Sequence, residues 1–263
     1  MAAERPATAP ATRLPGRLLL GFVSLALLAG VWAIAASVAQ SRVLPPPGAV
    51  LAFVWDEALD GALWVNLGMT LARVALAFTV AMAIGSAIGI VMGLHRFTDR
   101  LFDPWLVLLL NLPALVIMVL AYIWFGLNEA AAIGAVAVNK IPNVVVTMRE
   151  GARALDPSYG EMASVYRLGA FDRIRHVLLP QLQPYFAAAS RSGIALIWKI
   201  VLVVELLGRS SGVGFQIYLY FQLFDVAAIL AYTLAFVAVM LAIELLLVQP
   251  LERHASRWRR RPA

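Results

Sequence analysis

Six stretches of this chain are apolar enough to cross a lipid bilayer, and that restricts the fold more than any motif does. They are Leu18–Ala39, Asn66–Leu94, Pro104–Phe125 (broken by Pro113), Ala130–Met148 (broken by Pro142), Pro184–Leu207 and Val226–Val248. At a helical rise of about 1.5 Å per residue, some twenty residues cross the roughly 30 Å of hydrocarbon. Lipid offers no hydrogen bonds, so a spanning segment must satisfy its backbone internally, as a helix or within a closed barrel. Runs of this length are far longer than barrel strands, which leaves an all-α polytopic membrane fold. The charge content agrees: 14% of the 263 residues are charged, against roughly 25% in soluble domains.

Outside the spans, residues 1–15 are rich in Ala, Pro and Thr and are expected to be a disordered tail. A transmembrane domain follows over 16–252, with its longest polar interval at 150–180, and a basic tail closes the chain at 253–263. Arg13 and Arg17 ahead of the first span, with Ser37-Val38-Ala39 at its end, also fit a cleaved signal peptide. The span exceeds an ordinary signal core, which favours a retained helix. Leu44–Val50 (LPPPGAV) breaks the chain, and Val50–Leu63 reads as an interfacial helix anchored by Trp55 and Trp64. In the second span Ala77, Ala81, Gly85, Gly89 and Gly93 recur every fourth residue, a stripe that admits another helix at close range.

Six spans place both termini on one side, and arginine count fixes the side. Arg96, Arg100, Arg149, Arg153, Arg167, Arg173, Arg175 and the arginines of both tails share it. The opposite loops hold Arg42 and Arg209 against Asp56, Glu57, Asp60 and Glu129. Both termini and the 150–180 loop are therefore expected in the cytoplasm of a multi-pass inner-membrane protein. This distribution explains the pI near 10.1 by contact with membrane lipid, with no nucleic-acid partner.

The loop Leu155–Pro180 has its own helical design. Asp156 and Ser158 are both N-cap types, Pro157 suits a first helical position, and Ser158 with Glu161 reads as a capping box. A helix is expected from Pro157 to Leu168, ended by Gly169. A second amphipathic helix begins near Phe171, with Ile174, Val177 and Leu178 on one face, and Pro180 stops or kinks it.

Arg73, Lys140, Arg191, Lys199, Glu205 and Glu244 fall inside apolar spans. A charge at a helix centre costs at least about 2.5 kcal/mol unless it is paired or wetted, so each is a functional candidate. Arg73 and Glu205 lie at similar depth and read as a structural pair. Lys140, Arg191 and Lys199 are candidates to line a translocation pathway, which would then be net positive and suit a small anion. The competing reading pairs Lys140 with Glu244 and lets Arg191 snorkel to the interface.

No catalytic or metal chemistry is legible. Cysteine is absent, and His95, His176 and His254 have no second ligand at metal-binding spacing. There is no G-x-x-x-x-G-K-[ST] phosphate loop, H-E-x-x-H helix or G-x-S-x-G elbow. Gly208–Gly214 (GRSSGVG) lacks the lysine and falls on the extracytoplasmic side, where it reads as a gate rim or a partner contact.

Glu161, Ala163, Val177, Leu179 and Pro180 stand at the spacing of the cytosolic loop signature of ABC-importer permeases, with Met162 and Arg167 departing from it. The signature's glycine position is Arg167, so Gly169 is the residue expected to turn the chain. LPPPGAV, TLARV (Thr70–Val74), LFDPW (Leu101–Trp105), IWFGLNE (Ile123–Glu129) and VVELLGRSSGVGF (Val203–Phe215) match in order as well. Over almost its whole length the chain resembles permeases of the nitrate/sulfonate/taurine subgroup of ABC importers.

That resemblance implies the six-helix type I permease fold and a subunit that hydrolyses nothing itself. Two ATPase subunits would carry the ATP and Mg²⁺, a second permease subunit (most simply an identical copy) would complete the pore, and an extracytoplasmic binding protein would deliver substrate. It also implies that the helix at Glu161–Gly169 is the coupling helix, with Glu161, Met162, Ala163, Ser164, Tyr166, Arg167, Leu168 and Gly169 as the ATPase-coupling residues. An ion-coupled secondary transporter is the alternative, since it too carries buried charges on broken helices. An intramembrane enzyme would need a convergent nucleophile and base within the spans, and none is found.

Overall fold

The computed structural model describes residues 14–41 and 43–250, and both charged tails lie outside that range. Among the described residues every regular element is helical. The first helix, α1 (Leu14–Ala39), already begins inside the stretch expected to be disordered to residue 15. It stands apart from the bundle: of its described side chains Ala36 is buried, and the Trp32 indole donates to the Pro45 carbonyl at 3.1 Å. The short α2 (Pro47–Leu59) has proline at its first turn, and Gly61 at φ 82° turns the chain into α3 (Ala62–Leu94).

A break that the sequence places at Pro113 is a 96° bend between α4 (Arg96–Asn111) and α5 (Ala114–Phe125). Leu112 and Pro113 are both extended there, since a residue before proline avoids the helical region. Taken together as one broken span, the two halves bring the five long apolar helices of the described residues to six crossings. By contrast Pro104, Pro142 and Pro184 sit inside helices without ending them.

After α6 (Glu129–Arg153) comes the short α7 (Pro157–Val165), then α8 (Ala170–Arg173), a wide π turn (Ile174–Leu178) and α9 (Leu179–Gly208). These last three form one helix of 39 residues, so Pro180 does not stop it as expected. Proline lacks an N–H and crowds the carbonyl four residues earlier. The widened turn just upstream, closed by the Leu179 N–H on the Ile174 carbonyl, accommodates the ring. The chain ends in α10 (Val213–Gln222) and α11 (Val226–Ile243), the latter running into a second π turn to Val248.

The centre of the bundle is the seam between α3 and α6, with α9 packed across both. Ala77, Ala81, Gly85 and Gly89 of the small-residue stripe are buried along it. A Cβ at Gly89 would stand 2.7 Å from the Val145 carbonyl oxygen, and one at Gly93 2.6 Å from that of Arg149. The helices therefore touch backbone to backbone, which only missing side chains allow. Met118, Val136, Ile197 and Val201 fill the space alongside.

Candidate functional site

At one end of the bundle hangs α7. Pro157 opens it, and the Asp156 carboxylate accepts the Ser158 N–H at 2.9 Å. That bond to the helix's first turn holds the Asp156 carboxyl below the ordinary carboxylate range. Asp156, not Ser158, is thus the N-cap, and the Ser158–Glu161 capping box gives way to it because proline at the first position sets the cap one residue earlier. The Asp156 N–H donates to Gln181 Oε1 at 3.0 Å and ties the helix start to α9.

The far end of α7 closes at Val165, three residues short of the Leu168 expected. The Leu168 N–H reaches the Ala163 carbonyl at 2.9 Å and the Arg167 N–H reaches that of Ser164 at 3.1 Å, a Schellman cap. Such a cap needs a left-handed residue, and Arg167 supplies it at φ 50°. Gly169, expected to reverse the chain, is extended at φ −62°. The reversal therefore sits at the signature's own glycine position, occupied by an arginine.

Between these caps Glu161, Met162, Ser164, Tyr166, Arg167, Leu168 and Gly169 are exposed, whereas Ala163 is turned inward at 2% exposure and supports the helix from below. Sequence reasoning overlooked Tyr159 and Val165 beside them, which are at least half exposed, as are Phe171 and Ile174 of the second helix. Between α7, α9 and the ends of α3 and α6 lies a cavity of about 900 Å³, walled in part by Met148, Met162, Arg175, His176, Gln181 and Gln183.

The opposite end is locked by ion pairs. Arg73 on α3 holds Glu205 of α9 (Nη1 to Oε1, 2.6 Å) and Glu129 of α6 (Nη2 to Oε1, 2.7 Å), and it also donates to the Ser211 carbonyl. Glu205 is fully buried and accepts from Thr70 Oγ1 at 2.9 Å and the Gly214 N–H at 2.8 Å. Arg209 joins Glu129, while Asn66 and Thr70 accept the N–H groups of Gly212 and Val213. The structure thus brings Arg73 and Glu205 together, with Glu129, Arg209, Thr70 and Asn66 as members that the sequence did not assign. Glu129, Arg209 and Thr70 lie within the short motifs noted above, which was the available signal; Asn66 stands one helical turn before TLARV.

The remaining in-span cations are placed differently. Lys140 is 2% exposed, and among the described residues it makes no hydrogen bond or ion pair, so its expected alternative partner Glu244 does not meet it. Lys199 and Arg191 are exposed on one side of α9, with Lys199 Nζ 5.5 Å from the Trp198 ring. Among the described residues no cluster of His, Cys, Asp and Glu can hold a metal ion.

Length, apolarity and the broken crossing define a class of protein first: a polytopic helical membrane protein with a capped helix projecting beyond its spans. The chain belongs to the family described as binding-protein-dependent transport system inner membrane component, which matches residues 81–260. It is 30% identical over 190 residues, 72% of each chain, to the putative aliphatic sulfonates transport permease protein SsuC of Escherichia coli (strain K12). It is 29% identical over 205 residues, 74% of each chain, to the nitrate import permease protein NrtB of Synechocystis sp.. Among solved structures an amino acid ABC transporter with histidines superposes at TM-score 0.61 and 20% identity over 77% of this chain and 98% of that one. The MetNI methionine ABC transporter does so at 0.60 and 15% over 76% and 96%. These two likenesses show the fold. The chain is a permease subunit of an ABC importer, set in the inner membrane and not an enzyme. The ion-coupled alternative finds no support among these relatives.

Proposed function

We propose that this permease works as a pair of identical copies, each seating α7 on a cytoplasmic ATPase subunit, and moves a small oxoanion handed over by an extracytoplasmic binding protein. The observation that carries the reading is α7 itself. A nine-residue helix is too short to be stable alone, yet this one is capped at both ends and turns Met162, Val165 and Tyr166 outward. A rigid helix with an apolar outer face is suited to a packed interface, where a small displacement switches a partner between two arrangements. ATP and Mg²⁺ then belong to the ATPase, whose closure draws two α7 helices together and swings the spans. With that end in the cytoplasm, both termini are cytoplasmic too.

Support for a second copy comes from α9. Lys199 lies on its exposed side, and a cation within a span does not face hydrocarbon without cost. A water-filled path between two copies gives it solvent. The relatives that import sulfonates and nitrate favour an oxoanion cargo.

Replacing both Met162 and Tyr166 by Asp puts charge into the interface. Since an interface anchor contributes about 2 kcal/mol or more, recovery of the ATPase with the affinity-purified double variant should fall at least about tenfold. Recovery equal to that of the unaltered chain would reject α7 as the docking element.

A further inference from the structure

We propose that Lys140 is a station for the transported anion inside the membrane, so that this subunit selects for negative charge and not only the protein that delivers the cargo. The proposal rests on the permease reading above and names the residue that contacts cargo.

Lys140 is near the midpoint of α6 (Glu129–Arg153), about 16 Å from one end and about 20 Å from the other by helical rise. An unpaired buried ammonium is costly, and the rest of the molecule shows that pairing was available. Glu129 and Glu205 are held by Arg73, Asp99 and Asp103 by Arg149, and Glu150 by Arg153. Glu57 on α2 accepts from the Tyr232 hydroxyl. These acids are thus engaged with other residues, and Glu244, which is not, does not reach the lysine, so the cation in the middle of the bundle has no partner among the described residues. A bilayer protein retains such a charge where its partner arrives from outside.

The surroundings fit a passing ligand. Gly193 of α9 lies against the lysine stem: a Cβ there would stand 3.4 Å from Lys140 Cε and 3.2 Å from Phe78 Cε2. Glycine and a phenyl edge thus stand beside the lysine stem, and neither offers the ammonium a polar partner. Two turns along α6, about 12 Å further, Met148 forms part of the wall of the 900 Å³ cavity at the α7 end. The charged and titratable groups lining that cavity are Arg175, His176 and Tyr159, beside Ser86, Gln181 and Gln183, with no carboxylate. The cavity's own lining therefore offers an anion positive or neutral donors; it stops short of Lys140, with fully buried Val144 between them on α6, so the test reads both nucleotide states. The chemical class recognised is a small oxoanion, nitrate-like or sulfonate-like.

The chain contains no cysteine, so K140C introduces a single thiol into it. The complete complex, with ATPase and binding protein, would be reconstituted in vesicles and treated with the anionic 2-sulfonatoethyl or the cationic 2-aminoethyl methanethiosulfonate. Labelling of this chain is read by mass spectrometry, with and without vanadate trapping, and uptake is measured with nitrate and with ethanesulfonate. Losing a hydrogen bond to a charged group weakens binding about tenfold or more, so K140C and K140M should lower uptake by that factor while ATP hydrolysis continues. The aminoethyl adduct, which restores a cation, should recover uptake in K140C, and the sulfonatoethyl adduct should not. A thiol at 140 inert in both nucleotide states, unaltered uptake by K140M, or a loss that the restored amine does not repair would each overturn the role of Lys140. ATP hydrolysis is read in the same vesicles. Failure here with coupled hydrolysis intact therefore leaves the permease reading standing.

Discussion

Arg167 carries a strain that its neighbours impose. The Schellman cap of α7 requires a left-handed residue, and for a non-glycine side chain that conformation costs roughly 1–2 kcal/mol. Arg167→Gly should remove much of that cost, offset in part by the greater freedom glycine has when unfolded. The net expectation is about 0.5–1 kcal/mol of local stabilisation, visible as slower amide hydrogen exchange across Pro157–Val165. Arg167→Ala keeps the strain and should give no such slowing. Exchange equally slow in the alanine variant, or unchanged in the glycine one, would mean that φ at 167 is not what limits the helix. At this scale the sequence identified the glycine position and its departure, but assigned the turn to Gly169. The hydrogen bonds that choose between 167 and 169 run to Ala163 and Ser164, and spacing alone does not show them.

Among the elements, the α3–α6 seam is the one most plainly written in the chain. Small residues at every fourth position of α3 form one face of a helix, and the structure places that face against the backbone of α6. Gly89→Ala should therefore overpack the seam and cost about 1–3 kcal/mol, read as a lower unfolding temperature of the solubilised complex. Gly134→Ala, on α6 with nothing within 4 Å of the added methyl, should be neutral or stabilising. Equal losses in both variants would show that helix propensity, and not contact, decides. The 96° bend of the third span and the unbroken run through Pro180 were less legible. A proline marks where a helix can deform, whereas the packing on either side decides how far.

Across the whole molecule, one buried arginine links three helices that are far apart in sequence. Arg73 comes from α3, Glu129 from α6 and Glu205 from α9, and the loop after α9 closes over them through Ser211, Gly212 and Val213. Arg73 keeps Glu129 when Glu205 is lost, but Glu205 is fully buried and also receives Thr70 and the Gly214 N–H, so its removal costs toward the roughly 3–5 kcal/mol of a broken buried pair. Glu205→Gln should accordingly lose far more stability than Arg209→Ala, whose partner Glu129 keeps Arg73. Thermal unfolding of the two variants in the same detergent tests this, and similar midpoints would refute the ranking.

The chain by itself determined that it spans a membrane as helices, which small-residue face is buried, which helix projects beyond the spans, and that Arg73 and Glu205 are at one depth. Those follow from composition, from helical period and from rise per residue, all of which are local. Tertiary structure decided which acids each arginine engages, that Lys140 engages none, how sharply the third span bends, and which residue turns the chain after α7. Most of these depend on side chains brought together from different helices or on backbone bonds across a turn, where geometry in three dimensions chooses among partners that the linear order leaves equivalent.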